Sequence, residues 1–296
     1  MSRDHFIPQF VLRGFAINEN LPKNEQEIYI FDRKTKTIEK KLIADSFMQI
    51  DYNSEETEKY LAYGIETKVG GIFHNIKKCV NEKKDKFVIN KSLYKALHVF
   101  LVLMWRRNAK QVENMRKMAS DIETFMKELC GNNYEDAINP QYRNMSLQDF
   151  FEQHIDETRK AFFDYTVKHT NSDDPTVMKT IKNYIPFIVN NKSGIHFLLH
   201  DTYSTLTYFS HLDCDISEYD MPFIMLYPIS KTLCLCLMLS QNEIDINQKE
   251  FILPIVTWEN QKGLKQLLFD NYITDTARLF VVDDTNKDYL LNVLDK

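Results

Sequence analysis

The sequence predicts an α+β fold: an N-terminal β-hairpin and C-terminal strands in one mainly antiparallel sheet, packed against a helical middle segment. Three observations carry this prediction. Residues 27–43 alternate apolar and polar around a Lys-Thr-Lys-Thr turn, the pattern of a hairpin. Residues 54–190 repeat their apolar positions every three or four residues, the period of a helix. After Gly194 the chain breaks into short runs rich in β-branched and aromatic residues, separated by polar turns.

Pro8 suits a first helical turn, so the spacing predicts a short helix over Pro8 to Phe15, with Gly14 helping to end it. Asn18 to Gln26 is a polar loop. The hairpin follows as Glu27 to Arg33 and Ile38 to Ile43, with Ile28, Ile30, Ile38 and Leu42 turned inward. Ser54, followed by Glu55 and Glu56, is an N-cap with acidic residues at the positive end of a helix dipole. That helix carries Leu61, Ile65, Val69, Ile72 and Ile76 on one stripe and Lys77 and Lys78 in its last turn. Val80 to Phe87 is a charged connector. Ser92 to Leu129 is the strongest helix, and its stretch Val99 to Trp105, apolar all round, marks it as central and buried.

Gly131 to Met145 is polar. Further helices are expected over Ser146 to Thr170 and from Asp173-Asp174-Pro175 to about Asn190. Strands are expected at Ile195–Leu199, Thr205–Phe209, Met221–Pro228, Thr232–Leu239 and Leu279–Asp283. Gln248 to Asn271 reads as mostly helical despite Pro254, and Asn286 to Leu294 as a last helix. No linker, internal repeat or low-complexity tract divides residues 1–296, so a single domain is expected: signature and hairpin (1–50), helical part (54–190) and strand-rich part (195–296).

The composition, 44% hydrophobic and 27% charged over 296 residues, is that of a folded protein. A net charge of −5 removes the general electrostatic case for nucleic-acid binding and leaves only a local basic groove. No apolar run approaches the roughly 20 residues of a membrane span, and no signal-peptide core is visible. Five cysteines is an odd count. Cys234 and Cys236 share one strand face, and the spacing fits buried, reduced thiols, which predicts a reducing, cytoplasmic location.

Four groups of residues bear on chemistry. His5, Gln9 and Arg13 recur every four residues, which places them along one side of the N-terminal helix. They read as a general base beside an anion-positioning arginine, or as caps that tie the terminus down. Glu66 shares a helical stripe with Ala62, Val69 and Phe73, and a carboxylate there needs a partner. Arg106 and Arg107 leave the apolar run of the central helix, so an Arg–Glu pair between the two helices is expected, either as half of an active site or as a salt bridge that fixes register. His196, His200 and Asp201 cluster at a strand end, where a metal site would need all three to converge. Phosphate-binding glycine loops and the HExxH and GxSxG motifs are absent from the sequence.

The opening HFIPQFVLRGFA resembles the start of a largely bacterial family, domain of unknown function 4238, with His5, Pro8, Gln9, Phe10, Leu12, Arg13 and Phe15 on its pattern. The following hairpin, Glu66, Arg106 and a helix containing Asn260 are similar to the family as well. So are Asp201 and the later Pro228-Ile229-Ser230, although His200 replaces a serine and no Asn-Pro follows Asp201. The resemblance implies a single domain and a recurring polar set of His5, Gln9, Arg13, Glu66, Arg106 and Asp201. It also implies a bacterial setting among defence or accessory genes, antiviral defence included, and it implies no known activity.

Two functions fit. The first is an intracellular bacterial component of a defence or toxin system that binds a protein or a nucleic acid. The second is a hydrolase, a metal-assisted phosphodiesterase or nuclease, with His5, Glu66 and Asp201 as catalytic groups and Gln9, Arg13 and Arg106 as binding groups. The second predicts that the six residues share one cleft. The first predicts a closed network and an exposed apolar patch elsewhere. Neither fixes a metal or cofactor.

Overall fold

The computed structural model describes residues 3–50, 53–106, 111–137, 145–203, 205–208, 223–259, 278–288 and 291. In chain order, strand β1 (Arg3–His5) leads into helix α1 (Gln9–Leu12) and a 3-10 turn (Arg13–Phe15), with Pro8 just ahead of the helix. The hairpin is β2 (Glu27–Asp32) and β3 (Thr37–Leu42). Its alternation buries Ile28 and Ile30, whereas Leu42 is exposed, because β3 is the edge strand of its sheet. Strand β4 (Met48–Ile50) pairs antiparallel with β1. Helix α2 (Glu55–Lys59) is capped by the Ser54 hydroxyl, which accepts from the Thr57 N–H at 3.2 Å, and it runs through a π-helical segment (Tyr60–Glu66) into α3 (Thr67–Asn81).

Strand β5 (Lys86–Asn90) occupies the end of the expected charged connector. Phe87 and Ile89 point inward between exposed neighbours, an alternation too short to register against the lysines around it. The strand passes directly into α4 (Lys91–Arg106), whose Leu93 N–H is accepted by the Asn90 side chain at 2.9 Å, so Asn90 caps in place of Ser92. The long helix expected from Ser92 is two helices, α4 and α5 (Gln111–Cys130). Helices α6 (Tyr134–Ala137), α7 (Leu147–Gln153) and α8 (Ile155–His169) follow, the last two split at His154. Helix α9 (Pro175–Asn183) starts where expected and then gives way to strand β6 (Tyr184–Asn191).

The remaining strands are β7 (Leu199–His200), β8 (Thr205–Tyr208), β9 (Phe223–Pro228), β10 (Leu233–Leu239), β11 (Glu250–Trp258) and β12 (Leu279–Val282). Strand β11 overturns the helix expected from Gln248. Phe251 and Leu253 are buried while Ile252 is exposed, a period of two. Pro254 falls where β11 ends its antiparallel pairing with β5 and begins a parallel one with β6, so its missing N–H does little harm. The rest of that segment, with Asn260, and most of the expected last helix lie outside the described residues.

The fold is α+β, with three sheets where one was expected. The hairpin does join C-terminal strands, in the order β3-β2-β12-β7, all antiparallel. The other C-terminal strands form a second sheet, β5-β11-β6-β10-β9-β8. Three of its strands, β5, β6 and β11, fall where the sequence pattern predicts a connector or a helix, which is why this sheet is not legible from the pattern. Helix α4 is buried from Leu97 to Met104, within a core cluster that also takes in the N-terminal helix, the hairpin and both large sheets. Trp105, expected in that buried run, stands 55% exposed. Among the described residues no helix is long and apolar enough to cross a membrane.

Candidate functional site

The first sixteen residues dock as their aromatic content requires. Ile7, Val11, Leu12 and Phe15 are buried, and the Phe10 ring lies 5.6 Å from Phe73 and 5.8 Å from Phe100. Gly14 does not end the helix. Its Cα faces the turn between β9 and β10 so closely that a β-carbon would sit 2.3 Å from the Ile229 carbonyl oxygen. The Gly14 carbonyl accepts from the Lys231 N–H at 3.1 Å.

The three residues expected along one helix in fact come from three elements, His5 from the end of β1, Gln9 from α1 and Arg13 from the 3-10 turn, and together they face the helix that begins at α2. Between them lies a pocket of about 350 Å³. One wall is His5, Pro8, Gln9, Phe10 and Arg13; the other is Glu58, Ala62, Glu66, Thr67 and Gly70. Glu58, Ala62, Glu66 and Gly70 recur every four residues and so share a helix face. Ala62, expected in the core, is exposed because this face fronts the pocket. Small side chains keep the space open: at Gly70 an added β-carbon would rest against the Phe10 ring at 3.7 Å. The π-helical segment supplies Ala62 and Glu66, and the Thr67 hydroxyl bonds the Ala62 carbonyl at 2.7 Å. Such segments occur frequently at functional sites.

The polar side is ordered as a relay. The Arg13 guanidinium donates through Nη2 to Gln9 Oε1 at 2.7 Å. A guanidinium has no acceptor, so this bond fixes the amide: its oxygen faces Arg13 and its nitrogen faces His5 Nε2, at 3.3 Å. In this arrangement His5 Nε2 is the acceptor of the Gln9 amide. Burial pushes the Arg13 pKa below its ordinary value, and the buried Nε has no hydrogen-bond partner. Arg13 thus faces the pocket as a desolvated cation whose hydrogen bond goes to a neutral amide. Glu58, which also accepts from the Asn53 side chain, had no signal in the sequence beyond its four-residue offset from Ala62.

Four of the six expected residues, His5, Gln9, Arg13 and Glu66, therefore line one pocket; Arg106 and Asp201 are not among its lining residues. Of the two arginines expected to pair with Glu66, Arg106 does not, and Arg107 lies outside the described residues. Arg106, at the C-terminal end of α4, bonds Thr170, Thr176 at 2.9 Å and Asp174 at 3.0 Å. It ties α4 to the end of α8 and the start of α9, because Asp174 is also the α9 cap, accepting from Thr176 N at 2.8 Å. Burial works against the charge on Asp174, but Arg106 and the two capping N–H groups outweigh it and hold the carboxyl below its ordinary value. Asp174→Ala is expected to cost about 2 kcal/mol in chemical denaturation, through the lost cap and an arginine left half-buried without its counter-charge.

Asp201 accepts from the Arg278 and Leu279 N–H groups at 3.2–3.3 Å, which fastens the start of β12. The expected cluster around it separates. His200 is buried and bonds Thr202, while His196 pairs with Asp283. Burial again opposes the charge on Asp283, but His196 and Thr285 hold its pKa at about 2. Among the described residues no three His, Cys, Asp or Glu side chains converge as a metal site. Cys234 and Cys236 are buried and unbonded to each other by disulfide, as their spacing predicts.

A family model described as a protein of unknown function, DUF4238, matches residues 3–284. The chain belongs to this family. No curated protein and no solved structure is a significant match. The DUF4238 match spans both walls of the pocket, the Arg106 clamp and the Asp201 lock.

Proposed function

We propose that the pocket binds a phosphate-bearing ligand, a nucleotide or the phosphorylated end of a nucleic acid, with Arg13 as the counter-charge. The observation that carries this reading is the Arg13 guanidinium: partly desolvated, lining a 350 Å³ space, and hydrogen-bonded among the described residues only to the neutral Gln9 amide. A guanidinium held in this way gains most from an anion that offers several oxygens to its donors, as a phosphate does. Phe10 on the same wall offers a ring face to a base. The net charge of −5 fits recognition of a single terminal phosphate and not of an extended duplex backbone. In a bacterial defence or toxin system, such a pocket would read a nucleotide or a nucleic-acid end.

Calorimetric titration with inorganic phosphate, AMP and a 5′-phosphorylated oligonucleotide tests the reading. Arg13→Gln is expected to weaken binding by about tenfold or more, on the order of one lost charge-assisted contact. Equal binding by the two proteins, or none by the native chain, would sink it.

A hydrolytic role at the same place is favoured by one further feature, the carboxylates Glu58 and Glu66 on the wall facing Arg13. Glu66 would take a proton from the attacking water while Arg13 holds the phosphoryl oxygens. His5 would then offer a hydrogen bond through Nδ1 to the leaving oxygen, which takes its proton from solvent, because its Nε2 lone pair is engaged by Gln9. Phosphodiester turnover that survives Glu66→Gln unchanged would exclude this second role.

A further inference from the structure

Helix α5 carries two kinds of surface. The side that meets α7 is satisfied: Met115 and Ala119 pack with Phe151, Arg116 pairs with Glu152, and Glu123 pairs with Lys127 and accepts from the Leu147 N–H. A neighbouring stripe is not. Met118, Ile122, Phe125 and Leu129 recur at four, three and four residues, the spacing of a two-helix seam. They stand 50%, 43%, 60% and 69% exposed. Four large apolar side chains in a row are an uncommon surface for a monomer. Along one edge of the stripe run Lys117, Asp121 and Glu128, all exposed and none with an ion-pair partner among the described residues.

We propose that this face is the contact between two copies of the chain, with the α5 helices antiparallel. The charges along the edge decide the occupant. Lys117 and Glu128 lie equally far on either side of the Ile122–Glu123 peptide, so a two-fold axis at that point sets Lys117 of each copy against Glu128 of the other. The same axis drops Phe125 of each helix between Met118 and Ile122 of its mate, and the two Ile122 side chains meet at the centre. A parallel two-fold arrangement instead sets this edge against the opposite, α7-side edge of the mate, and the charges lose their complement. One helix pair is a small interface, so the association is concentration-dependent.

Sedimentation velocity on the full chain over a concentration series tests this. The mass is expected to rise from that of the 35.1 kDa chain toward twice that value. Phe125→Asp should leave only monomer, and at concentrations low enough that the native chain is monomeric too its circular-dichroism melt should be unchanged, because the residue lies outside the core. Lys117→Glu and Glu128→Lys should each weaken association by about tenfold, since each turns two attractions into two repulsions. The double reversal K117E/E128K should restore it. A native chain that stays monomeric, a dimer indifferent to Phe125→Asp, or a double reversal no better than the singles overturns the proposal.

Discussion

Acidification from pH 7 to pH 4 is expected to remove about 3 kcal/mol of folding stability through one side chain, His98. His98 sits wholly buried on α4, with its ring 4.6 Å from Tyr94, which stacks on Phe251 at 3.9 Å. Neither ring nitrogen has a hydrogen-bond partner among the described residues. Burial therefore drives its pKa from 6.5 down to about 3. Between those two values the unfolded chain binds a proton that the folded chain refuses. The stability is complete above pH 6.5 and drains away as pH falls toward 3. His98→Leu keeps the volume and removes both orphaned nitrogens, so it is expected to raise stability at pH 7 by about 1–3 kcal/mol and to flatten the acid slope. Urea unfolding of the two proteins at pH 7, 5.5 and 4 is the measurement. Parallel slopes would mean that His98 is not the group responsible.

Gly14→Ala is the second large effect. The added methyl would stand 2.3 Å from the Ile229 carbonyl oxygen and 3.0 Å from the Ser230 Cα, both backbone atoms that cannot rotate away. Either the N-terminal helix lifts or the β9–β10 turn shifts, at an expected cost of about 3 kcal/mol. Gly71→Ala is the matched control. It lies inside α3, and an added β-carbon meets nothing within 4 Å, so there the better helix propensity of alanine should stabilise by up to about 1 kcal/mol. Thermal melts of the pair, opposite in sign, distinguish a steric contact at Gly14 from a general glycine effect. Because Arg13 precedes Gly14, phosphate binding should weaken in Gly14→Ala and persist in Gly71→Ala.

What could be read from the sequence followed from local physics. Ser54, Ser146 and Asp174 cap as their residue types require, and the hairpin and the α4 core stripe obey their periods. Of the pocket residues, His5, Gln9 and Arg13 were legible from their four-residue spacing, although His5 belongs to β1 and not to the helix, and Glu66 from being a carboxylate on an apolar stripe. Misreadings came from short elements whose identity depends on distant partners. Residues 250–258 are an apolar run that either period accommodates until β5 and β6 flank it. Arg106 could be seen to need a carboxylate, but nothing local distinguished Asp174 from Glu66. Asp201 was legible as a polar strand end, yet its ligands are backbone N–H groups of residues 278 and 279, which no side-chain pattern announces.

The change of partners along β11 also bears on how the molecule comes into being. Both walls of the pocket are encoded in the first seventy residues, whereas the central sheet joins residues 86–90 to residues 250–254. Contacts so far apart in sequence close slowly, after local helices have formed. During synthesis, the N-terminal helix has no β9–β10 turn to rest against until Ile229 and Ser230 have emerged. The segment around Gly14 is therefore secured in two stages: Phe10 docks on Phe73 and Phe100 early, whereas the backbone contact at Gly14 waits for the β9–β10 turn.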